Sequence, residues 1–423
     1  MQTLKGNCLI GQSGGPTAAI NASLVGTIEQ ASASPMIQNI FGSVNGIEGI
    51  LNNKIIDFSD HITSDEELYL LKHTPSAYLG SCRFKLPSIQ QDINVYTRIF
   101  EIFEEYNIRY FFYIGGNDSM DTVLKLSEYA KLIHYPINIL GVPKTIDNDL
   151  AVTDHTPGFG SAAKYIATSM LEISRDSEVY YLESVTIVEI MGRNAGWLTA
   201  ASVLARTSYN ASPDLIYLPE VPFSIDKFIE DIKNIQLHKK SVIVAVSEGI
   251  KDEAGQYICA GSSEGCTDGF GHKILGGTAK TLESIVKQNL KCKVRSIELN
   301  VLQRCAAHLT SKTDLDEAQE IGKQAVLAGT KGATGKMMTF DRSNGPDYQI
   351  SYGSIDIREI ANVEKKVPLD WINEQGNDVT HEMINYLKPL IQGETQVIYE
   401  AGLPVYLTLD TSKLTCSCKS EAV

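Results

Sequence analysis

Short apolar segments alternate with longer amphipathic segments along the first part of the chain. Buried β-strands are predicted for the apolar runs at residues 7–10, 39–44, 109–114 and 137–142. Helices are predicted for the segments with helical spacing of apolar positions at residues 18–31, 94–106 and 118–132. Regular alternation of strands and helices is typical of an α/β fold, in which helices cover a parallel sheet.

The same alternation continues through the second part of the chain. Strands are predicted at residues 184–190, 214–218 and 241–246. Helices are predicted at residues 160–173, 195–205, 225–235 and 314–328. In the last of these helices Asp314 is placed to cap the N-terminus. Residues 351–423 lack the clear alternation, and we expect them to form a C-terminal appendage.

Charge limits the class of partner. The 423 residues include 37 Lys and Arg against 51 Asp and Glu, which gives a formal net charge of -14, and no basic stripe or tail is visible. We therefore expect neither a nucleic acid nor an anionic membrane as a partner. Any site for a phosphorylated substrate must be locally basic against this acidic background. No apolar run reaches the roughly 18 residues that a membrane-spanning helix requires.

The cysteines and the N-terminus indicate the compartment. The eight cysteines are scattered, and only Cys416 and Cys418 are close together, with no His or Cys nearby to complete a zinc site. We expect buried or incidental thiols in a reducing cytoplasm. The N-terminus has one Lys and a very short apolar stretch before its glycines, which predicts a first β-strand instead of a signal peptide.

Three polar or glycine-rich loops follow predicted strands. Their sequences are GQSGGPTAAIN, GGNDSMDT and PKTIDND. In an open parallel sheet, ligands bind beyond the carboxyl ends of the strands, and a glycine-to-helix junction presents backbone N–H groups to a phosphate. Each loop alone is also compatible with an ordinary tight turn. Three such loops at one edge of a sheet indicate a phosphate site, although neither GxxxxGK[ST] nor GxGxxG is present after a strand.

The TIDND segment is the acidic centre of these loops. In an extended segment, side chains two residues apart point the same way, so Thr145, Asp147 and Asp149 would converge on a sugar hydroxyl. Phosphoryl transfer needs an acceptor for the hydroxyl proton, and Asp147 is the candidate base. Capping of a turn by the Asp side chains is the structural alternative.

The order of the motifs resembles that of the phosphofructokinase family. The segments are GQSGGPTAAIN, GSCRF, GGNDS, PKTIDND, MGRNAGW, SEG and RSIELNVLQR. They occur in the family's order and approximate spacing over roughly residues 6–330. The combination of GGND with PKTIDND looks like the pyrophosphate-dependent branch. The resemblance implies Mg²⁺-dependent, reversible phosphorylation of the 1-hydroxyl of fructose 6-phosphate by pyrophosphate, a step of glycolysis.

The resemblance implies roles for the residues that match the family's motifs. Asp147 would take the proton of the sugar 1-hydroxyl, and Thr145 and Asp149 would flank the transferred phosphoryl group. Met191, Gly192 and Arg193 would contact the sugar and the transferred phosphate, and Glu248 would bind sugar hydroxyls. Arg304 and a neighbouring subunit's Arg295 would bind the 6-phosphate. Gly14 and Arg83 would lie on the donor side.

Two positions indicate the donor. In ATP-using relatives, glycines typically match Asp118 and Lys144, which leaves room for the α-phosphate of the nucleotide. Here Asp118 would repel that phosphate by about 4 kcal/mol at about 4 Å and an effective dielectric near 20. Lys144 would compensate the charge of a short anhydride and join the catalytic group. We expect Mg²⁺ to bridge the phosphate oxygens, with Asp118 as a direct or water-mediated ligand.

Three positions depart from the family pattern. Asn117 replaces an Asp that serves the metal in many members, Ser184 replaces a second phosphate-binding Arg, and Val301 replaces an expected His or Tyr. The alternatives are an ATP-dependent phosphofructokinase, a pyrophosphate enzyme that also uses sedoheptulose 7-phosphate, and a silent regulatory subunit that binds sugar phosphate.

The resemblance also implies the architecture. Two similar three-layer lobes with largely parallel sheets would enclose the active site in a cleft. The phosphate-donor lobe would comprise residues 1–158 with about 303–350, the sugar-phosphate lobe residues 159–302, and the appendage residues 351–423. A sugar site that borrows neighbouring residues implies a homodimer or homotetramer.

Overall fold

Two mainly parallel β-sheets, each flanked by helices, form the two lobes of the structure. This computed structural model describes residues 4–259, 276–345, 347–360 and 363–414. In the first part of the chain, helices and strands follow one another in the order β1 (Gly6–Gln12), α1 (Ile20–Ser32), β2 (Ile37–Ser43), α2 (Gly46–Leu51), β3 (Ile55–Asp57), α3 (Asp65–His73), α4 (Ile93–Glu105), β4 (Ile108–Gly115), α5 (Asn117–Leu132) and β5 (Asn138–Pro143).

The second lobe repeats the alternation. Its elements are α6 (Phe159–Ser177), β6 (Ser184–Ile190), α7 (Trp197–Ala201), β7 (Leu215–Tyr217), α8 (Ile225–Gln236), β8 (Ser241–Ser247), α9 (Thr278–Asn289) and β9 (Lys293–Glu298). The rest of the described chain contains α10 (Leu302–Cys305), α11 (Lys312–Thr330), β10 (Lys336–Arg342), β11 (Ile350–Asp356), α12 (His381–Leu387), β12 (Tyr399–Glu400) and β13 (Leu403–Pro404).

The strand orders bring the carboxyl ends of the strands together. The first sheet has the order β11-β10-β5-β4-β1-β2-β3, with parallel pairing everywhere except at its two edge pairs. The second sheet has the order β7-β8-β6-β9 and is parallel throughout. In each sheet the strand order reverses at one point, next to β1 in the first sheet and next to β6 in the second. Open α/β sheets bind their ligands at such points. The predicted α/β fold with two largely parallel lobes is confirmed.

The central strand β4 shows why the first lobe has three layers. Its residues Tyr110 and Phe112 pack into one buried cluster with apolar residues of α1 and α11. The alternate residues Phe111 and Tyr113 pack into a second cluster with apolar residues of α4 and α5. A strand that is covered on both faces needs an apolar side chain at nearly every position, as the sequence of β4 has.

The chain returns to the first lobe after β9. Helix α11 packs closely on α1, since a Cβ at Gly26 would lie 1.8 Å from the carbonyl oxygen of Gln319 and one at Gly322 would lie 2.2 Å from that of Ser23. Strands β10 and β11 then extend the first sheet. Because β11 pairs with β10 over its whole length, the boundary that we placed at residue 351 falls inside a strand of this sheet.

The predicted cap of α11 is wrong. Ser311 is the N-cap, and its hydroxyl accepts a hydrogen bond from the backbone N–H of Asp314. The buried carboxylate of Asp314 instead accepts hydrogen bonds from the backbone N–H groups of Gly158 (2.8 Å) and Ser161 (2.9 Å). Asp314 therefore supports the start of α6, in the other lobe.

Two further predictions concern the cysteines and the membrane. Cys8, Cys82 and Cys259 are buried free thiols, and Cys292 and Cys305 are more accessible free thiols. Cys266, Cys416 and Cys418 lie outside the described residues. Within the described part of the chain, no helix combines the length and the apolar character that crossing a membrane requires.

Candidate active site

Loops from the carboxyl ends of both sheets line one cleft of about 920 Å³. This volume is typical of a small-molecule site. Of the residues that the sequence predicts for the site, the cleft is lined by Gly14, Arg83, Asp118, Lys144, Thr145, Asp147, Asp149, Met191, Gly192, Arg193, Glu248 and Arg304. The roles of these residues stay predictions.

Lys144 lies between the first two glycine-rich loops. Gly14 has a φ of 78°, and a Cβ at this position would lie 3.1 Å from Lys144 Nζ. The Lys144 ammonium group donates a hydrogen bond to the carbonyl oxygen of Gly15 at 2.8 Å. The side chain is buried, and burial lowers the pKa of Lys144 to about 8, although the carboxylates of Asp147 and Asp149 oppose this shift. A buried cation therefore faces the cleft without a direct carboxylate hydrogen bond among the described residues.

The TIDND segment forms a turn, so the extended conformation that we predicted is wrong. The backbone N–H of Asp147 donates to Thr145 Oγ1 at 3.1 Å, and Asn148 has a φ of 55°. The Thr145 hydroxyl also lies 3.4 Å from Asp147 Oδ2. The left-handed residue between the two aspartates lets both line the cleft although the backbone turns.

The pKa values of three carboxyl groups of the cleft, those of Asp147, Asp149 and Glu248, are raised above the ordinary range. Burial raises the pKa of Asp147, and the charges of Lys144 and Arg193 oppose the rise. Burial, followed by the charges of Asp147 and Glu364, raises the pKa of Asp149 to about 7. Burial and the charge of Asp147 raise the pKa of Glu248 to about 7. A raised pKa suits carboxyl groups that accept and return a proton during catalysis.

The second lobe contributes two loops, after β6 and after β8, and each of them requires a glycine. Gly192 has a φ of 136°, and a Cβ there would lie 2.5 Å from the carbonyl oxygen of Ala195. A Cβ at Gly249 would lie 1.8 Å from the carbonyl oxygen of Arg193. Glu248 Oε1 accepts a hydrogen bond from the backbone N–H of Gly192 at 3.4 Å. The SEG and MGR segments therefore fix each other through direct backbone packing.

Positive side chains line the cleft from both lobes. Arg83 and Lys144 come from the first lobe, Arg193 from the second, and Arg304 from α10. Arg304 Nη1 lies 3.4 Å from where a Cβ of Gly15 would be. The buried Nε of Arg193 has no hydrogen-bond partner in the described part of the chain. The locally basic site that a phosphorylated substrate requires is present in an acidic protein.

Asn117 lines the cleft beside Asp118. Its Nδ2 donates to Asp149 Oδ2 at 3.3 Å, and its buried Oδ1 has no partner among the described residues. Within the same described residues, no group of three or more His, Cys, Asp or Glu side chains could hold a metal ion. Mg²⁺ usually takes one or two carboxylates and completes its shell with water and substrate phosphates, so Asn117 and Asp118 fit a metal that binds together with its substrate.

Arg295 is the predicted residue that this chain does not bring to its own cleft. It lies on β9, the edge strand of the second sheet, and its Nη1 pairs with Asp176 Oδ2 at 2.8 Å. This position leaves a contribution to another subunit's site as the prediction for Arg295.

Sequence reasoning missed several residues that line the cleft. Glu364 lies beyond β11, in the segment that we assigned to an appendage, and its Oε1 accepts a hydrogen bond from Asn194 Nδ2 at 2.9 Å. Glu364 stands in a VEKK sequence without glycine or periodic signal, so nothing local indicates a site. Glu298, Asn300 and Gln303 also line the cleft, and their signal is the RSIELNVLQR segment that contains them.

Comparison with known proteins agrees with the geometry. The chain matches the family model described as phosphofructokinase over residues 7–328. It is 41% identical over 401 residues to the pyrophosphate–fructose 6-phosphate 1-phosphotransferase of Halomonas elongata, covering 94% of both chains. It is 42% identical to the protein of the same name from Xanthomonas campestris, covering 96% of both. The solved pyrophosphate-dependent phosphofructokinase of Nitrosospira multiformis is similar with a TM-score of 0.86 and 38% identity, covering 97% of this chain and 96% of that one.

Proposed function

Since this chain belongs to the phosphofructokinase family, we propose that it transfers a phosphoryl group from pyrophosphate to the 1-hydroxyl of fructose 6-phosphate. The products are fructose 1,6-bisphosphate and phosphate. Both substrates are the ones in the names of the relatives that match over nearly the whole chain. The reaction exchanges one phosphate anhydride for one ester, has little driving force, and therefore runs in both directions.

Asp147 acts as the base. As the 1-hydroxyl oxygen attacks the terminal phosphorus of pyrophosphate, the hydroxyl proton moves to the Asp147 carboxylate. The bond between that phosphorus and the bridging oxygen breaks, and the second phosphate leaves with the electron pair. The raised pKa of Asp147 suits this exchange, because a carboxyl group that takes a proton readily also returns it in the reverse reaction.

The cations of the cleft hold the phosphates. Lys144 and Arg193 lie near Asp147, and we assign both to the charge that develops on the transferred group. Mg²⁺, when bound with pyrophosphate, neutralises the phosphate oxygens and withdraws charge from the reacting phosphorus. Asp118 and the unpartnered Oδ1 of Asn117 are the protein oxygens that would hold it.

The sugar phosphate occupies the second-lobe side of the cleft. Glu248 accepts hydrogen bonds from sugar hydroxyls, and Met191 and Gly192 place the backbone of their loop against the sugar. The resemblance to the family assigns Arg304 to the 6-phosphate, for which a planar guanidinium suits a terminal phosphate dianion. Its Nη1 lies next to Gly15 of the donor-side loop, so Arg304 stands between the two substrates of the proposed reaction. The donor occupies the side of Gly14 and Arg83.

The choice of pyrophosphate as donor rests on the position of Lys144. Its buried ammonium group lies against the backbone of Gly14 and Gly15, in a cleft that Asp118 also lines. A nucleotide would have to place its α-phosphate and ribose where these two side chains lie. Turnover of fructose 6-phosphate, with pyrophosphate and ATP assayed side by side, tests the proposal. Strong turnover with ATP and none with pyrophosphate would overturn it.

We also propose that the chain functions as a homodimer or homotetramer in the cytoplasm. The exposed side chain of Tyr180 lies beside Arg295 and Lys293 of the edge strand β9. A neighbouring subunit at this surface would receive Arg295 in its 6-phosphate site. Sedimentation of the purified protein gives the subunit number, and a monomer with full activity would contradict the shared site.

A further inference from the structure

The segment of residues 364–367 connects the two loops that carry the candidate catalytic groups. Its backbone runs antiparallel to the turn at Leu150, and the N–H of Lys365 donates to the carbonyl oxygen of Asp149 at 2.7 Å. On its other side, Trp197 Nε1 donates to the carbonyl oxygen of Lys365 at 3.0 Å. The segment thus contacts the TIDND turn of one lobe and, in the other lobe, the start of α7 through Trp197 and the loop after β6 through the Asn194–Glu364 hydrogen bond.

The side chain of Lys365 points behind the turn, away from the bound substrates of the proposed reaction. Its ammonium group donates to Asn148 Oδ1 at 3.3 Å, and to the carbonyl oxygens of Thr153 at 3.1 Å and Asp154 at 2.6 Å. It also lies 5.0 Å from the centre of the Trp197 ring. Three acceptors and an aromatic face fix this half-buried cation in one position.

Asn148 is the residue that these contacts hold. It is fully buried, and its φ of 55° places it in the left-handed region, which Asn adopts more readily than most other residues. Its Nδ2 donates to the hydroxyl of Tyr386 at 2.8 Å, and that hydroxyl donates to the carbonyl oxygen of Asp154 at 2.7 Å. Both ends of the Asn148 amide are therefore bound by side chains that come from beyond residue 360.

The conformation of Asn148 decides where its neighbours point. Asp147 and Asp149 precede and follow it, and both line the cleft. If Asn148 moved to a right-handed or extended conformation, the Asp147 and Asp149 carboxylates would change their orientation relative to each other. A displacement of about 1 Å in a reacting group can reduce turnover by about a hundredfold.

We propose that Lys365 and Tyr386 are positioning residues, which hold Asn148 in its left-handed conformation and thereby aim the Asp147 carboxylate at the sugar hydroxyl. This inference rests on the proposed function for its catalytic consequence. Its structural part, the restraint of the turn, does not depend on which substrates the protein uses. The C-terminal part of the chain then belongs to the catalytic machinery, although neither side chain touches the substrates.

Hydrogen–deuterium exchange in the absence of substrates tests the structural part. We expect Lys365→Met to speed exchange of the amides at residues 146–150, whereas Lys366→Met leaves it unchanged. Lys366 is the matched control, because it is the next residue and is exposed. Unchanged exchange at residues 146–150 in Lys365→Met would overturn the proposal, whatever the protein turns over.

Kinetics tests the catalytic part. We expect Lys365→Met to lower kcat by at least about tenfold while the KM for fructose 6-phosphate changes by less than about threefold. The variant disturbs the orientation of the Asp147 carboxylate and leaves the substrate-binding groups in place. Tyr386→Phe removes only one hydroxyl, so it should lower kcat in the same sense even if Lys365→Met folds poorly. If the Lys366→Met control loses as much kcat and as much unfolding temperature as Lys365→Met does, the effect is one of general stability. That result would contradict positioning.

A third variant separates side-chain contacts from backbone conformation. Asn148→Gly keeps the left-handed conformation accessible but deletes the amide that Lys365 and Tyr386 bind. The double variant combines Lys365→Met with Asn148→Gly. If Lys365 acts through Asn148, this double variant should lose no more kcat than the more impaired of the two single variants. Fully multiplicative losses would overturn the assignment. Wild-type protein that lacks turnover with pyrophosphate and with ATP would refute the proposed function, and the exchange result would still decide the positioning.

Discussion

The ammonium group of Lys144 is hydrogen-bonded to the carbonyl oxygen of Gly15 at 2.8 Å, across the mouth of the first βα turn. This bond places a cation where the backbone of the glycine-rich loop approaches the cleft. Glycine is favoured at position 14 because its φ is 78°, and a Cβ there would also contact Nζ tightly, at 3.1 Å. The relationship between residues 14, 15 and 144 therefore defines the space that is left for a phosphate donor.

Removal of the charge of Lys144 should affect the donor more than the sugar. We expect Lys144→Met to reduce kcat/KM for pyrophosphate by about a hundredfold or more, the usual effect of deleting one preorganised charge from a transition-state site. The KM for fructose 6-phosphate should change little. Lys131→Met, on the exposed face of α5, is the control. Wild-type kinetics with pyrophosphate in Lys144→Met would contradict the assigned role.

Removal of both crowding side chains should admit a nucleotide. Asp118 and Lys144 line the same cleft, and a carboxylate about 4 Å from an α-phosphate would repel it by about 4 kcal/mol at an effective dielectric near 20. We expect Asp118→Gly with Lys144→Gly to bind ATP at least about tenfold more tightly than the wild type. Isothermal titration calorimetry measures this directly.

The single variant provides the comparison for this exclusion. Lys144→Gly keeps the carboxylate of Asp118, so it should gain less affinity for ATP than the double variant does. If the double variant gains none, space and charge at these two positions do not select the donor.

Sequence patterns predicted most of the fold because the first and second sheets are buried on both faces. Strands such as β4 and β8 are continuous apolar runs, and the intervening helices have one apolar face. The conformation of the TIDND segment could not be predicted this way. Its turn depends on Asn148, whose partners Lys365 and Tyr386 lie more than 200 positions away in the chain.

Long-range contacts also explain the error at Asp314 and the omission of Glu364. An Asp near the start of a helix resembles a cap, and only the approach of α6 shows that its carboxylate serves Gly158 and Ser161. Glu364 reaches the cleft because β11 closes the edge of the first sheet and directs the following segment back toward the TIDND turn. Neither arrangement leaves a local signal.

Asp147 should be needed for turnover and not for binding. We expect Asp147→Asn to lower kcat by several orders of magnitude with only a small change in sugar-phosphate affinity, because the amide is of similar size but cannot take the proton. Asp121→Asn is the control, as Asp121 lies on α5 and pairs with Lys125 at 2.6 Å. Turnover near the wild-type rate in Asp147→Asn would refute a base at this position.

The pH dependence should show both the base and the cation. Burial raises the pKa of Asp147, so kcat/KM for pyrophosphate should rise with pH through values above the ordinary range of an Asp, as the carboxylate form becomes populated. Burial lowers the pKa of Lys144 to about 8, so its positive charge is present below that pH and is lost above it. We therefore expect a bell-shaped profile whose descending limb lies near pH 8.

Lys144→Arg assigns the descending limb. A guanidinium remains charged throughout the range in which proteins are stable, so this variant should keep measurable activity and lose the decline near pH 8. The ascending limb belongs to the carboxyl groups and should stay in place. Because burial and the charge of Asp147 also raise the pKa of Asp149, Asp149→Asn should shift the ascending limb toward lower pH by removing a neighbouring negative charge. A descending limb that persists unchanged in Lys144→Arg would show that another group causes it.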